Sequence, residues 1–177
     1  MSEMPKSLRD RLNPIAQVIR DAGGEIVGRT KLQKTVYLLT LAGFEKQFRF
    51  GYKHYGPFSE ALADATDLAV AFGLIFEHQQ QAAWGGTYSV YTAPPGEQSA
   101  QPSRIRLTQA AAQSDAVLLE LAATAAYLAQ EGKPRPWAET ARRKPDKAAN
   151  GRLDRAKELY AQLREASDNA LPEIRLE

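Results

Sequence analysis

The stretch between residues 30 and 42 constrains the fold most, because it is apolar on both sides of a helix. One face carries Leu32, Thr35, Val36 and Leu39, and the opposite face carries Tyr37, Leu38 and Leu41. A helix that is apolar nearly all round must be covered by other elements on every side. The sequence therefore predicts a central, buried helix here, with Thr30 as its N-cap and Gly43 as its end.

Two further helices and a hairpin are expected in the same half of the chain. Apolar residues recur at helical spacing over residues 7–21 and again over 60–72, where Ser59 provides an N-cap. In the second of these helices Leu68 and Phe72 are expected to face inward. Residues 74–78 and 87–91 are typical of two strands joined by a turn. Helices followed by a hairpin predict an α+β, mostly helical, winged-helix-like core over residues 1–92.

The rest of the chain is expected to be a helical extension. Residues 93–103 contain three prolines and little to bury, which indicates a linker. Residues 104–107 are interpreted as a short strand, and one long helix is expected from Thr108 to Gln130. A last helix is expected over residues 152–166. We therefore predict a C-terminal helical extension over residues 104–177 that packs on the core.

Charge is unevenly distributed along the chain. The 23 basic and 21 acidic residues nearly balance, but residues 61–131 hold two Lys/Arg against seven Asp/Glu, while both ends are basic. The helix before the hairpin carries Glu60, Asp64 and Asp67 on its outward face and no basic residue. In a winged-helix protein that helix enters the major groove, where carboxylates would be repelled by phosphates. Duplex reading by this helix is therefore disfavoured.

No set of residues indicates catalysis. The chain has no cysteine and two histidines, too few for the common metal motifs. Residues 23–30 match the spacing of a phosphate-binding loop, but Arg29 stands where the lysine is needed and the loop follows a helix rather than a strand. We expect a non-enzymatic protein without cofactor or metal. No stretch is apolar enough for a signal peptide or a membrane span, so a soluble, cytoplasmic protein is expected.

Two short motifs carry a resemblance to known families. The segment 28–39, with its TKLQK..YLL pattern, and the YGPFS turn at 55–59 resemble the bacterial YwgA-like family. The same landmarks are similar to the Panacea (SocA-like) antitoxin domain. The Panacea resemblance implies binding roles, namely neutralisation of a toxin or delivery of a partner to a protease.

We therefore interpret the protein as a regulatory or antitoxin-like adaptor that binds another protein. The candidate partner-binding residues are Tyr55, Phe58, Glu60, Asp64 and Asp67. The alternative is a winged-helix transcriptional regulator that binds DNA through its basic ends and forms a homodimer through the long helix. The candidate residues for that alternative are Arg29, Lys31, Lys34, Arg142, Arg143 and Lys144. Lys31 and Lys34 are expected at a solvated edge of the central helix.

Overall fold

A computed structural model describes residues 4–53 and 56–177, which form an α+β fold. The helices in these ranges are α1 (Lys6–Asp21), α2 (Arg29–Leu41), α3 (Glu60–Ala71), α4 (Pro102–Gln113), α5 (Ala116–Gln130), α6 (Pro136–Arg143), α7 (Pro145–Ala148) and α8 (Arg152–Ala166). The strands are β1 (Glu25–Val27), β2 (Gly51–Lys53), β3 (Gly56–Phe58), β4 (Phe76–Gln81) and β5 (Thr87–Thr92). Among the helices described, none combines the length and the apolar character needed to cross a membrane.

The strands form two small antiparallel sheets. In the larger sheet the order is β1-β5-β4, so β5 lies between β1 and β4, its partner in the hairpin. Ile26 pairs with Tyr91, and His78 pairs with Val90. The smaller sheet is the β2–β3 hairpin. The predicted α+β class and the hairpin between residues 74 and 92 are confirmed.

The central helix predicted from its pattern is α2, and every residue from Leu32 to Leu39 is buried. It packs on α4 and α5 and contacts β1 and β3. Its N-cap is Gly28 rather than Thr30, so that prediction is wrong. Gly28 has φ +95°, a conformation that glycine adopts without penalty and that lets the chain leave β1 directly into the helix.

The prediction for residues 104–130 is wrong in two respects. Residues 104–107 are helical, because Pro102 occupies the first turn of α4 and Leu107 and Ala111 lie on one buried side of it. The expected single helix is divided at Ser114. The helix α5 begins at Ala116, and its N-cap is Asp115, whose Oδ1 accepts hydrogen bonds from Val117 N at 2.9 Å and Leu118 N at 3.0 Å.

The proline-rich segment before α4 is fastened to α1 through one carboxylate. Asp21 is fully buried, and its oxygens accept hydrogen bonds from Ser99 N at 2.8 Å and Ser99 Oγ at 2.5 Å. Arg104 Nε donates to the same carboxylate at 3.2 Å. The Asp21 carboxylate thus links the end of α1, the connecting segment and the first turn of α4.

Candidate functional site

The two sequence motifs meet in space and hold each other. The Gln33 side chain donates from Nε2 to the Ser59 carbonyl at 2.9 Å and accepts from Ser59 N at 3.0 Å through Oε1. Ser59 Oγ also accepts from Leu62 N, so the predicted N-cap of α3 is confirmed. Because all these atoms are buried and hydrogen-bonded, the first role of the two motifs is structural: they hold the start of α3 against α2.

Lys34 lies in this junction and not at the expected solvated edge. Its residue is 2% exposed, and Nζ donates to the Pro57 carbonyl at 2.7 Å. Burial lowers the pKa of Lys34 to about 8 from 10.5, with Glu120 opposing the shift and Lys144 and Lys147 adding to it. The ammonium therefore acts as a structural donor for the turn before α3.

A buried carboxylate of α5 pairs with two lysines of the C-terminal region. Glu120 of α5 is 2% exposed and accepts from Lys147 Nζ at 2.6 Å and from Lys144 Nζ at 3.4 Å. Burial also lowers the pKa of Lys144. The charges of Glu120, Lys144 and Lys147 also act on the pKa of Lys34, so the lysine of α2 and the lysines of the C-terminal region are electrostatically linked.

The remaining basic candidates are at the surface, and most have acidic partners. Arg142 and Arg143 both bind Glu139, at 2.6 and 2.8 Å. Arg143 also lies over the Tyr52 ring, 4.8 Å from its centre. Arg29 contacts Glu77 at 3.2 Å, although its side chain stays largely exposed. The six residues proposed for nucleic acid thus do not form one surface, since Lys34 and Lys144 are buried.

The acidic candidates share the outer side of α3. Glu60, Asp64 and Asp67 are all exposed, and Glu60 is paired with Lys53. Phe58 is half-buried, with Lys53 Nζ 5.1 Å from its ring centre. Tyr55, the fifth candidate, lies outside the described residues.

Leu68 of α3 and Phe72, the C-cap of this helix, are exposed, contrary to the prediction that they face inward. Phe72 is 46% exposed, and Phe76, four residues further on at the start of β4, is exposed to a similar degree. Helical spacing alone could not predict this exposure, because the apolar residues of α3 extend over more of the helix surface than one buried face. Only those on the side that packs against α1 are covered.

A cavity of about 190 Å³ lies beside the acidic side of α3. Its lining includes Phe58, Asp67 and Arg29, together with residues of α2 and β5. Two candidates for partner binding, Phe58 and Asp67, and one for DNA binding, Arg29, therefore line the same cavity. The opening offers an apolar wall with one carboxylate and one guanidinium, a combination suited to receive a single side chain of a binding partner.

Comparison with protein-family models, with curated proteins and with solved structures gives no match for this chain.

Proposed function

We propose that this protein is a non-enzymatic adaptor, regulatory or antitoxin-like, that binds a basic amphipathic segment of a partner protein on the outer face of α3. The observation that carries the proposal is the mixed character of that face. On the outer side of α3, Asp64 and Asp67 lie beside the exposed Leu68 and the exposed C-cap residue Phe72. Exposed aromatic residues bordered by charge are typical of protein-binding surfaces.

The same proposal treats the first half of the chain as a winged-helix-like core. Supporting it are the order of the elements α1, β1, α2, α3, β4 and β5 and the sheet order β1-β5-β4, in which β4 and β5 would form the wing. The β2–β3 hairpin is then an insertion between the second and third helices. The resemblance of the two motifs to the Panacea domain is consistent with a binding role and suggests a toxin or a protease substrate as partner.

The alternative function, a transcriptional regulator that binds DNA through the basic ends, has less support from the side chains. Burial removes Lys34 and Lys144 from any contact with phosphate, and Glu139 neutralises part of the charge of Arg142 and Arg143. Fewer free cations mean a weaker release of counterions, which supplies most of the non-specific affinity for DNA.

The test compares capture of proteins from the organism that encodes the chain, using three baits. The baits are the unchanged protein, a triple variant with Asp64→Lys, Asp67→Lys and Phe72→Ser, and a control with Asp154→Lys on α8. A partner should be lost only from the triple variant, and should then bind the purified unchanged protein directly. Circular dichroism checks that all three baits are folded.

Two outcomes would contradict the proposal. One is a partner that the triple variant retains as well as the control does. The other is tight binding of duplex DNA with a steep salt dependence that Lys31→Gln weakens, which would favour the regulator.

A further inference from the structure

A second cleft, distinct from the outer face of α3, lies between the start of α2 and the β4–β5 hairpin. Its volume is about 600 Å³, within the range of small-molecule sites. The hairpin contributes Trp84 and Tyr88 with the polar side chains of Gln79 and Thr87, and α2 contributes its first basic residues. It is thus aromatic on one side and cationic on the other.

Trp84 is the most exposed large apolar residue among those the structure describes, at 77%. Its ring lies directly over Gly86, where an added Cβ would be 1.6 Å from the Trp84 Cζ3 atom. Because Gly86 has no side chain, the indole lies against the turn, while most of its surface stays open. An indole with one side on the turn and the rest exposed is a surface on which a flat ring can stack.

The opposite wall carries positive charge. Arg29 and Lys31 line the cleft, and the residues that line it include no aspartate or glutamate. Arg29 keeps an ion pair with Glu77, and its side chain remains 67% exposed. Asp115, at the start of α5, is close enough to Lys31 to act on its charge, but burial has the larger effect and lowers the pKa of Lys31. A phosphate would find two cationic donors here.

We propose that this cleft binds a nucleobase together with its phosphate, with the base stacked on Trp84 and the phosphate held by Arg29 and Lys31. The ligand is a free nucleotide or one unit of a single-stranded nucleic acid. Duplex DNA is a poor fit, because its bases are already stacked on one another. This inference does not depend on the partner proposed for α3.

The chain's own tryptophans provide the measurement. Of the two in the sequence, Trp137 is 1% exposed and Trp84 is open, so quenching by an added ligand reports on Trp84. The probes are a thymidine oligonucleotide and thymidine monophosphate, each titrated while tryptophan emission is recorded. Labelled oligonucleotide followed by fluorescence anisotropy gives the affinities of variants. Quenching by the monophosphate at equal affinity indicates a nucleotide site, and quenching by the oligonucleotide alone indicates a single-strand site.

The variants separate stacking from charge. Trp84→Ala should weaken binding about 5- to 150-fold, the range for loss of one base stacked on an aromatic side chain. Gly86→Ala, which displaces the ring without removing it, should weaken binding in the same direction. Lys31→Gln should reduce the salt slope by about one. The matched control is Phe76→Ala, an exposed aromatic residue outside the cleft, which should bind as the unchanged protein does.

Three results would overturn the inference. The first is that neither probe quenches tryptophan emission. The second is that Trp84→Ala binds the oligonucleotide as tightly as the Phe76→Ala control does. The third is that a poly-glutamate peptide competes as strongly as the oligonucleotide. The last result would show a cationic cleft without a preference for bases.

Discussion

Replacement of Lys34 by methionine tests whether a charged amine is really buried at the junction of the two motifs. Methionine keeps an unbranched chain of similar length but removes the charge and the hydrogen bond to the Pro57 carbonyl. Loss of this hydrogen bond should lower the free energy of unfolding by about 1 kcal/mol at every pH. The effect of the charge, in contrast, depends on pH, and its direction follows from the lowered pKa.

The magnitude follows from the two pKa values. Lys34 releases its proton at about pH 8 in the folded protein and at 10.5 when unfolded. Between these values the unfolded chain binds more protons, so the free energy of unfolding rises with pH. The cost of burying the ammonium is fully present below pH 8 and fades toward 10.5. From about pH 7 to about pH 9.5 the unchanged protein should gain about 2 kcal/mol relative to Lys34→Met.

Urea denaturation of both proteins at the two pH values measures this difference. Other groups titrate in both proteins and cancel in the comparison. Lys46→Met, at an exposed lysine, checks that the exchange to methionine does not itself produce the slope. A difference that stays flat across this range, or falls as the pH rises, would refute a buried, charged Lys34.

Three further substitutions test the packing around α5 and α3 by urea denaturation. Gly56→Ala should lower the free energy of unfolding by more than about 2 kcal/mol, because Gly56 has φ +100° and an added Cβ would lie 2.3 Å from Thr124 Oγ1. The control Gly51→Ala, where an added Cβ meets open space, should lower it by less than about 1 kcal/mol. Equal losses would argue against the close approach. Glu120→Gln should cost about 3 kcal/mol, because it removes the carboxylate from a buried group of ammonium ions, and a loss below about 1 kcal/mol would contradict that burial. Ser59→Ala should cost about 1 kcal/mol through the lost N-cap of α3, and an unchanged urea midpoint would show that the hydroxyl does not cap it.

Local patterns were enough to predict much of the fold. The periodic segments that became α1, α3 and α8 have few alternatives, and α2 shows its central place by being apolar on both faces. The hairpin was predicted because turn residues separate two strand-like segments. In each of these cases the information lies within about fifteen neighbouring residues.

The site could not be predicted in the same way, because its contacts join distant parts of the chain. From the sequence, Lys34 is expected at the surface, because its hydrogen-bond acceptor, the Pro57 carbonyl, lies 23 residues further along the chain. Arg104 belongs to a helix whose first turn is held by Asp21, 83 residues earlier. The aromatic wall at Trp84 depends on Gly86, which reads in sequence only as part of a turn.

The position of α2 has a consequence for how the protein is made. Its apolar surface is covered mainly by α4 and α5, which begin some sixty residues or more after α2 ends. During synthesis α2 therefore leaves the ribosome before the helices that bury it. At about 5–20 residues per second, its apolar surface stays exposed for several seconds until α4 and α5 have been made. We expect this nascent stage to be the one at which the chain most needs protection from aggregation.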